Sequence, residues 1–335
     1  QQIAGLRRFT YQEGKAHGLE AVECRTGTGL RYHILLGRGM DIGLCEFKGM
    51  PIHFRSAVGE ASAVFYESNG NEWLRNFGGG LLVTCGLSYL GAPDVDQEEA
   101  LGLHGRISNM PAEEIALESN WQGSECTFSV RGKIREAKTL VNHLLISRTL
   151  SSQLGENKIM LTDTISNEGF KRSPLMLLYH INIGYPLLDT MTRFYAPSIQ
   201  VIPRDRDAEK DMNHYNTFCE PVSDYPDTVF YHQLKSDSMG WSRVALINPE
   251  KSLGIGLYYD SRYLPHFVQW KYLERGNYVT GLEPANCLVE GRSRERKQGT
   301  LIHLEPGEKQ VIRLEIELLA SQKAFDEVIK NIENL

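Results

Sequence analysis

A chain of 335 residues, 41% hydrophobic and 23% charged, has ample apolar material for a large core and the composition of an ordinary globular protein. Its formal net charge of −6 argues against nucleic acid or an anionic membrane surface as a partner, and no apolar run approaches the length of a membrane span. Cys24, Cys45, Cys85, Cys126, Cys219 and Cys287 are scattered without a C-x-x-C pair and read as reduced thiols, and residues 1–8 have no apolar signal-peptide core, so a cytoplasmic location is expected.

In chain order, strand signals come first. Residues 19–25, 31–36, 43–47 and 51–55 alternate apolar with polar side chains, and Gly-rich or charged turns separate them, which predicts a meander. Residues 71–77 suit a short helix stopped by Gly78-Gly79-Gly80, and residues 81–87 suit a strand. A loop rich in Gly, Pro and Asp then leads to Leu103-His104-Gly105-Arg106. Long strands follow at 126–136, 139–150, 158–166 and 175–183, with turn residues between them. Residues 196–231, rich in Pro, Asp and Asn, read as long loops of the kind that line a site. Strands resume at 242–248, 254–259, 266–272 and 278–283, residues 300–319 read as a hairpin around Glu305-Pro306-Gly307-Glu308, and only 322–332 has helical spacing. No linker or repeat interrupts the pattern. The expected architecture is all-β: a single domain over residues 1–335, a large antiparallel β-sandwich with minor helices.

The stretch 174–189 carries the strongest functional signal. Its apolar run reads as a buried strand that presents His180 and Asn182 on one face, and Gly184-Tyr185-Pro186 turns the chain at its end. A histidine and an amide there suit the floor of a binding cavity, although a core histidine satisfied by a carbonyl would look the same. An imidazole in a cleft can donate or accept a proton near neutral pH. Glu283 ends the predicted strand just before Pro284, where desolvation would raise its pKa and make it a better base; the plainer reading is a cap on the next loop. His104 and Arg106 share one loop, Arg38 sits in the turn Gly37-Arg38-Gly39-Met40-Asp41, and Trp270-Lys271 lies in an aromatic run where an indole could stack on a sugar. Against these stand a surface turn, a local Arg–Asp pair and a core tryptophan. A P-loop, a dinucleotide-binding turn, a G-x-S-x-G elbow and an H-E-x-x-H motif are all missing.

Taken in order, several segments resemble the galactose mutarotase-like superfamily, the aldose 1-epimerases, and most closely a poorly characterised branch of it. They are Leu36-Gly37-Arg38-Gly39-Met40-Asp41-Ile42-Gly43, Gly79 to Leu87, Leu103-His104-Gly105-Arg106, Tyr179 to Leu188, Trp270-Lys271 and Gly281-Leu282-Glu283-Pro284-Ala285. The resemblance implies a large antiparallel β-sandwich whose concave face binds a monosaccharide. It matches His104 to the histidine of an early His-Gly loop, His180 to the general acid and Glu283 to the general base. Asn182 and Gly184-Tyr185 stand where the usual pattern has Tyr-Phe-Asn, Pro284-Ala285 departs from the usual Leu-Glu-x-Gln ending, and Gly37 replaces the Asn of the usual Asn-Arg pair.

The implied activity is an isomerase that exchanges the anomers of a monosaccharide or sugar derivative. Glu283 takes the anomeric proton, His180 protonates the ring oxygen, and His104, Arg38, Arg106, Asn182, Trp270 and Lys271 hold the substrate. Neither cofactor nor metal is implied, and a homodimer stays open. Arg38, Arg106 and Lys271 together would make the cavity cationic enough to favour an acidic or phosphorylated sugar. The alternatives are a non-catalytic sugar-binding or regulatory protein and an isomerase of a different sugar or sugar acid using the same pocket.

Overall fold

The computed structural model describes residues 2–335; Gln1, which the expected unit and N-terminal reading included, lies outside the described residues. Two antiparallel sheets dominate it, one of eleven strands and one of eight. In the first, the opening meander Gly5–Thr10, Glu20–Arg25, Leu30–Leu35 and Asp41–Phe47 leads through Leu82–Leu87 to the central strand Met176–Gly184. Beyond it lie Asn277–Ala285, His266–Glu274, Thr228–Leu234 and Ser198–Pro203. The second sheet runs Ala112–Gln122, Glu125–Lys138, Asn142–Gln153, Lys158–Asn167, Lys309–Leu319, Leu253–Asp260, Trp241–Asn248 and Arg193–Tyr195.

The alternation of side chains decides what each sheet face does. Along the central strand, Leu177, Tyr179, Ile181 and Ile183 join the main core, packed with residues of the second sheet such as Ile146, Leu161 and Ile312. Met176 and Leu178 point the other way, into a second cluster with Trp73, Phe77, Val268, Val279 and Ala285. A strand buried on both faces is apolar without a break, which is why residues 174–183 read as they do. His180 and Asn182 share the parity of Met176 and Leu178, so they belong to the outer, loop-covered face.

Four readings need correction. Residues 300–319 are no hairpin: Lys309–Leu319 pairs with Lys158–Asn167 and Leu253–Asp260, whereas the short His303–Leu304 pairs with Ser173–Pro174. Ala112–Gln122 is a strand that went unread because it is an edge, largely exposed, with a bulge between Glu113 and Ala116 that breaks its alternation. Pro284 does not end its strand, which continues to Ala285 opposite Leu178 on one side and His266 on the other. The loop region 196–231 holds the edge strand Ser198–Pro203, the short helix Arg206–Lys210 and the start of Thr228–Leu234. The C-terminal helix Gln322–Glu333 follows its helical spacing, capped by Ser321 and burying Phe325, Val328 and Ile332.

Candidate active site

Strand register brings His180 and Glu283 together. Leu178 stands opposite Ala285 and Asn182 opposite Gly281, so His180 and Glu283 are cross-strand neighbours on one face. His180 Nε2 lies 3.2 Å from Glu283 Oε1, with both side chains almost wholly buried. The contact is not aligned as a hydrogen bond: Glu283 Oε1, His180 Nδ1, Asn182 Oδ1 and His104 Nδ1 are all buried without a protein partner. Buried polar atoms in folded proteins are nearly always satisfied, and each exception costs about 1–3 kcal/mol. Three of them, on His104, His180 and Glu283, belong to residues that line one cavity, the arrangement expected where ligand hydroxyls take up the bonds.

Gly281 makes the close approach between the pair feasible. A Cβ there would lie 2.1 Å from Glu283 Oε1 and 3.1 Å from His180 Cε1. The atom it meets is the mobile end of the Glu283 side chain, so a methyl group would push the carboxyl aside rather than break the sheet. The Gly281→Ala variant is expected to fold and melt close to the unmodified protein yet lose about two orders of magnitude in turnover, the cost of an ångström-scale misplacement. Thermal melting beside an activity assay checks it; equal loss in both would show that Gly281 serves the fold alone.

Burial governs the protonation of the pair. It raises the Glu283 carboxyl well above the usual range, helped by the negative charge of Asp227 and opposed by Arg204. The same burial lowers His180 to about 3, with the His104 ring pushing in the same direction and the Asn182 side chain opposing. Burial lowers His104 to about 4 against the pull of Asp227. Near neutral pH the floor therefore holds two neutral imidazoles beside a carboxyl whose burial favours its protonated form.

The pair forms the floor of a cavity of about 660 Å³. The Trp270 ring stands edge-on to His180 at 5.4 Å, and its indole N–H donates to Asp227 Oδ1. His104 reaches in from its loop with a left-handed φ of 56°, its ring 6.0 Å from His180 and 5.0 Å from Trp73. The single basic side chain in the wall, among the described residues, is Arg204, and it is paired with Asp205 at 2.9 Å and Asp227 at 3.1 Å.

The structure thus brings His104, His180, Glu283 and Trp270 together in the cavity lining, keeps Asn182 on the same strand face but outside the lining, and sets Arg38, Arg106 and Lys271 apart from them. Arg38 is buried and spends its guanidinium on three backbone carbonyls, Ser108 at 2.8 Å, Ala61 at 2.6 Å and Asn76 at 3.1 Å. It braces the segments that carry Trp73 and does not line the cavity. Lys271 alternates with Trp270 and so faces away from His180; its ammonium is buried on Asp211 and on the His214 carbonyl. Arg106 is exposed, outside the lining. Asn182 faces the cavity side, but its amide N–H groups are held by the carbonyls of Gly80 and His180. Sequence reasoning missed Asp227, Arg204 and Trp73; the polar richness of 196–231 was the signal for the first two. Among the described residues no three His, Cys, Asp or Glu side chains converge as a metal site, and no helix is long and apolar enough to cross a membrane.

Comparison with known proteins finds the same fold. A Klebsiella pneumoniae subsp. pneumoniae protein provisionally named an aldose 1-epimerase superposes with a TM-score of 0.93 at 26% identity, over 98% of this chain and 87% of its own. A galactose mutarotase-like protein from Clostridium acetobutylicum (TM-score 0.63, 13% identity, 96% of this chain and 100% of its own) shares the fold. So does the galactose 1-epimerase of Lactobacillus acidophilus (TM-score 0.60, 12% identity, 94% and 98%). No curated protein matches the chain closely enough to count as a relative. The fold is thus galactose mutarotase-like, and with a family model matching residues 16–318, the chain belongs to the family described as a domain of unknown function, DUF4432.

Proposed function

We propose that the protein is an aldose 1-epimerase-like isomerase that exchanges the anomers of a neutral monosaccharide or sugar derivative, with Glu283 and His180 as its acid–base pair and residues 1–335 acting as one unit. The observation that carries this reading is the 3.2 Å approach of His180 Nε2 to Glu283 Oε1 in the floor of a roomy cavity. One proton shared by two groups is what anomer exchange needs. With the proton on His180, Glu283 accepts the proton of the anomeric hydroxyl as the C1–O5 bond breaks, C1=O1 forms and His180 delivers its proton to O5. The pair then stands as neutral imidazole and carboxylic acid, the state that burial favours. Rotation about C1–C2 presents the other carbonyl face; O5 returns its proton to His180 and attacks C1, while Glu283 gives its proton back to O1. His104 and Trp270 flank the ring, and Asp227 is placed to accept from a hydroxyl.

The wall favours a neutral substrate over an acidic or phosphorylated one, since its arginine is already committed to carboxylates and Arg38 and Lys271 are turned away. Exchange rates measured by NMR over a panel of neutral, phosphorylated and acidic sugars test the reading. At least one neutral sugar is expected to exchange well above its uncatalysed rate, with charged analogues slower. Binding without acceleration across the panel would replace the enzyme with a sugar-binding protein.

The pH profile of that exchange follows from the shared proton. On the acid side the pair stops working when His180 also takes a proton, at about pH 3, and burial shifts the loss of the Glu283 proton upward from the usual carboxylate range. No acid limb is expected near about 6.5, the ordinary histidine value, since burial holds His180 at about 3. An acid limb there would show that a solvated histidine controls the rate.

A further inference from the structure

One wall of the cavity comes from three separate segments: residues 56–58, residues 71–77 and Leu103-His104. None of them lies in a strand of the two large sheets, so ladder hydrogen bonds do not set their spacing. Arg38 reaches a backbone carbonyl in or just beyond each. Its Nη1 donates to Ala61 at 2.6 Å, its Nη2 to Asn76 at 3.1 Å and its Nε to Ser108 at 2.8 Å.

The turn that carries Arg38 is itself fixed. It follows the strand Leu30–Leu35, with the Arg38 N–H on the Leu35 carbonyl at 3.0 Å and the Gly39 N–H on the Met110 carbonyl at 2.8 Å. Gly39 has a left-handed φ of 62°, and a Cβ there would lie 2.9 Å from the Ile107 carbonyl oxygen, so the turn sits tightly against 107–110. The carboxyl of this turn, Asp41, pairs with Arg148 at 3.1 Å. A buried cation held by neutral carbonyls is a costly way to fill a core. What arginine supplies that an apolar side chain does not is a rigid planar fork of N–H donors in fixed directions. The rings that depend on it stand beside the reacting pair. Phe77 stacks on Trp73 at 4.8 Å and lies 5.9 Å from His180, and Trp73 lies 5.0 Å from His104.

We infer that Arg38 is a positioning residue: it holds the wall of Trp73, Phe77 and His104 in place beside His180 and so sets ligand affinity without touching the ligand. The inference rests on the acid–base reading only for what the wall holds. Asn76 Nδ2 adds a tie of its own, to Asn109 Oδ1 at 2.7 Å and the Ser62 carbonyl at 3.4 Å. A variant at position 38 therefore keeps part of the frame and is expected to fold.

Arg38→Met and Arg38→Lys, followed by NMR titration of His104 and by calorimetry with glucose, galactose and mannose, test this. In both variants looser packing of Trp73 admits water to His104, whose titration should rise from about 4 to about 5 or above. Affinity for those of the three sugars that bind should fall about tenfold while kcat for anomer exchange stays within about threefold, the pattern of lost uniform binding. A folded variant whose His104 titration does not move refutes the proposal, whatever its melting temperature. If none of the sugars binds or exchanges, the isomerase reading fails and the His104 titration still decides the role of Arg38. Hydrogen exchange of the unmodified protein adds a test that needs no variant. The amides of Gly59, Phe77 and Asn109, each bonded within its own segment, should open with one common free energy, and three separate openings would refute the tie.

Discussion

Glu283→Gln is expected to reduce anomer exchange by about two to four orders of magnitude, the usual range for loss of a general acid–base group. The amide keeps the shape of the side chain but can neither take the anomeric proton nor return it. His180→Asn should cost a similar factor, because the remaining carboxyl then has no partner 3.2 Å away to complete the transfer. The double variant should be little worse than either single one, since groups that act as a unit do not contribute additively. Ligand affinity should fall far less than turnover, because the flanking rings and hydroxyl contacts stay in place. NMR exchange rates and calorimetry on the same samples separate the two effects. Turnover at the unmodified rate in both single variants would remove the pair from the mechanism.

The second large effect lies beneath the site, in the main core. Arg148 is fully buried and donates to Asp163 through Nε at 2.9 Å and Nη2 at 2.6 Å, and to Asp41 at 3.1 Å and the Gly39 carbonyl at 2.9 Å. Asp163 also accepts from the Tyr179 hydroxyl at 2.7 Å, and Asp41 from the backbone and hydroxyl of Thr84. Burial raises Asp41 to about 6 even though the Arg148 charge holds it down. Arg148→Ala would leave two buried carboxyls without their cation and is expected to lower unfolding stability by about 3–5 kcal/mol.

The sign of the pH effect follows from Asp41. Without Arg148 the folded pKa of Asp41, already raised by burial, moves up further, so the folded state binds more protons than the unfolded one between the unfolded carboxylate range and that raised value. Stability should then recover as the pH falls from 8 toward 5. Chemical denaturation of the variant at both pH values checks it. A loss below about 1 kcal/mol at pH 8 would mean the cluster rearranges without its arginine.

The legible parts of this molecule were those where one face of a strand must be apolar. The central strand, the neighbouring long strands and the terminal helix announce themselves through period, and the parity of His180 and Asn182 followed from it. Glu283 was legible as an acidic residue misplaced at the end of an apolar run. Polar residues on strands buried on both sides were not. Lys271 beside Trp270 looks like a site residue, and only the observed register shows that one of the two must face Asp211 instead. Arg38 was ambiguous for a different reason: its partners are backbone carbonyls of residues 61, 76 and 108, which carry no sequence signal. Asp227 reaches the site from a stretch whose composition says loop but not direction.

The central strand Met176–Gly184 also bears on how such a protein can change. Its odd positions lock the two sheets together; of its even positions, Met176 and Leu178 pack in the outer cluster and His180 lines the cavity. A replacement at 180 changes what faces the cavity with little effect on the packing between the sheets, while one at 179 or 181 does the opposite. Pressure on the cavity and pressure on stability thus fall on interleaved but separate residues, and the cavity floor can change while the sandwich beneath stays as it was.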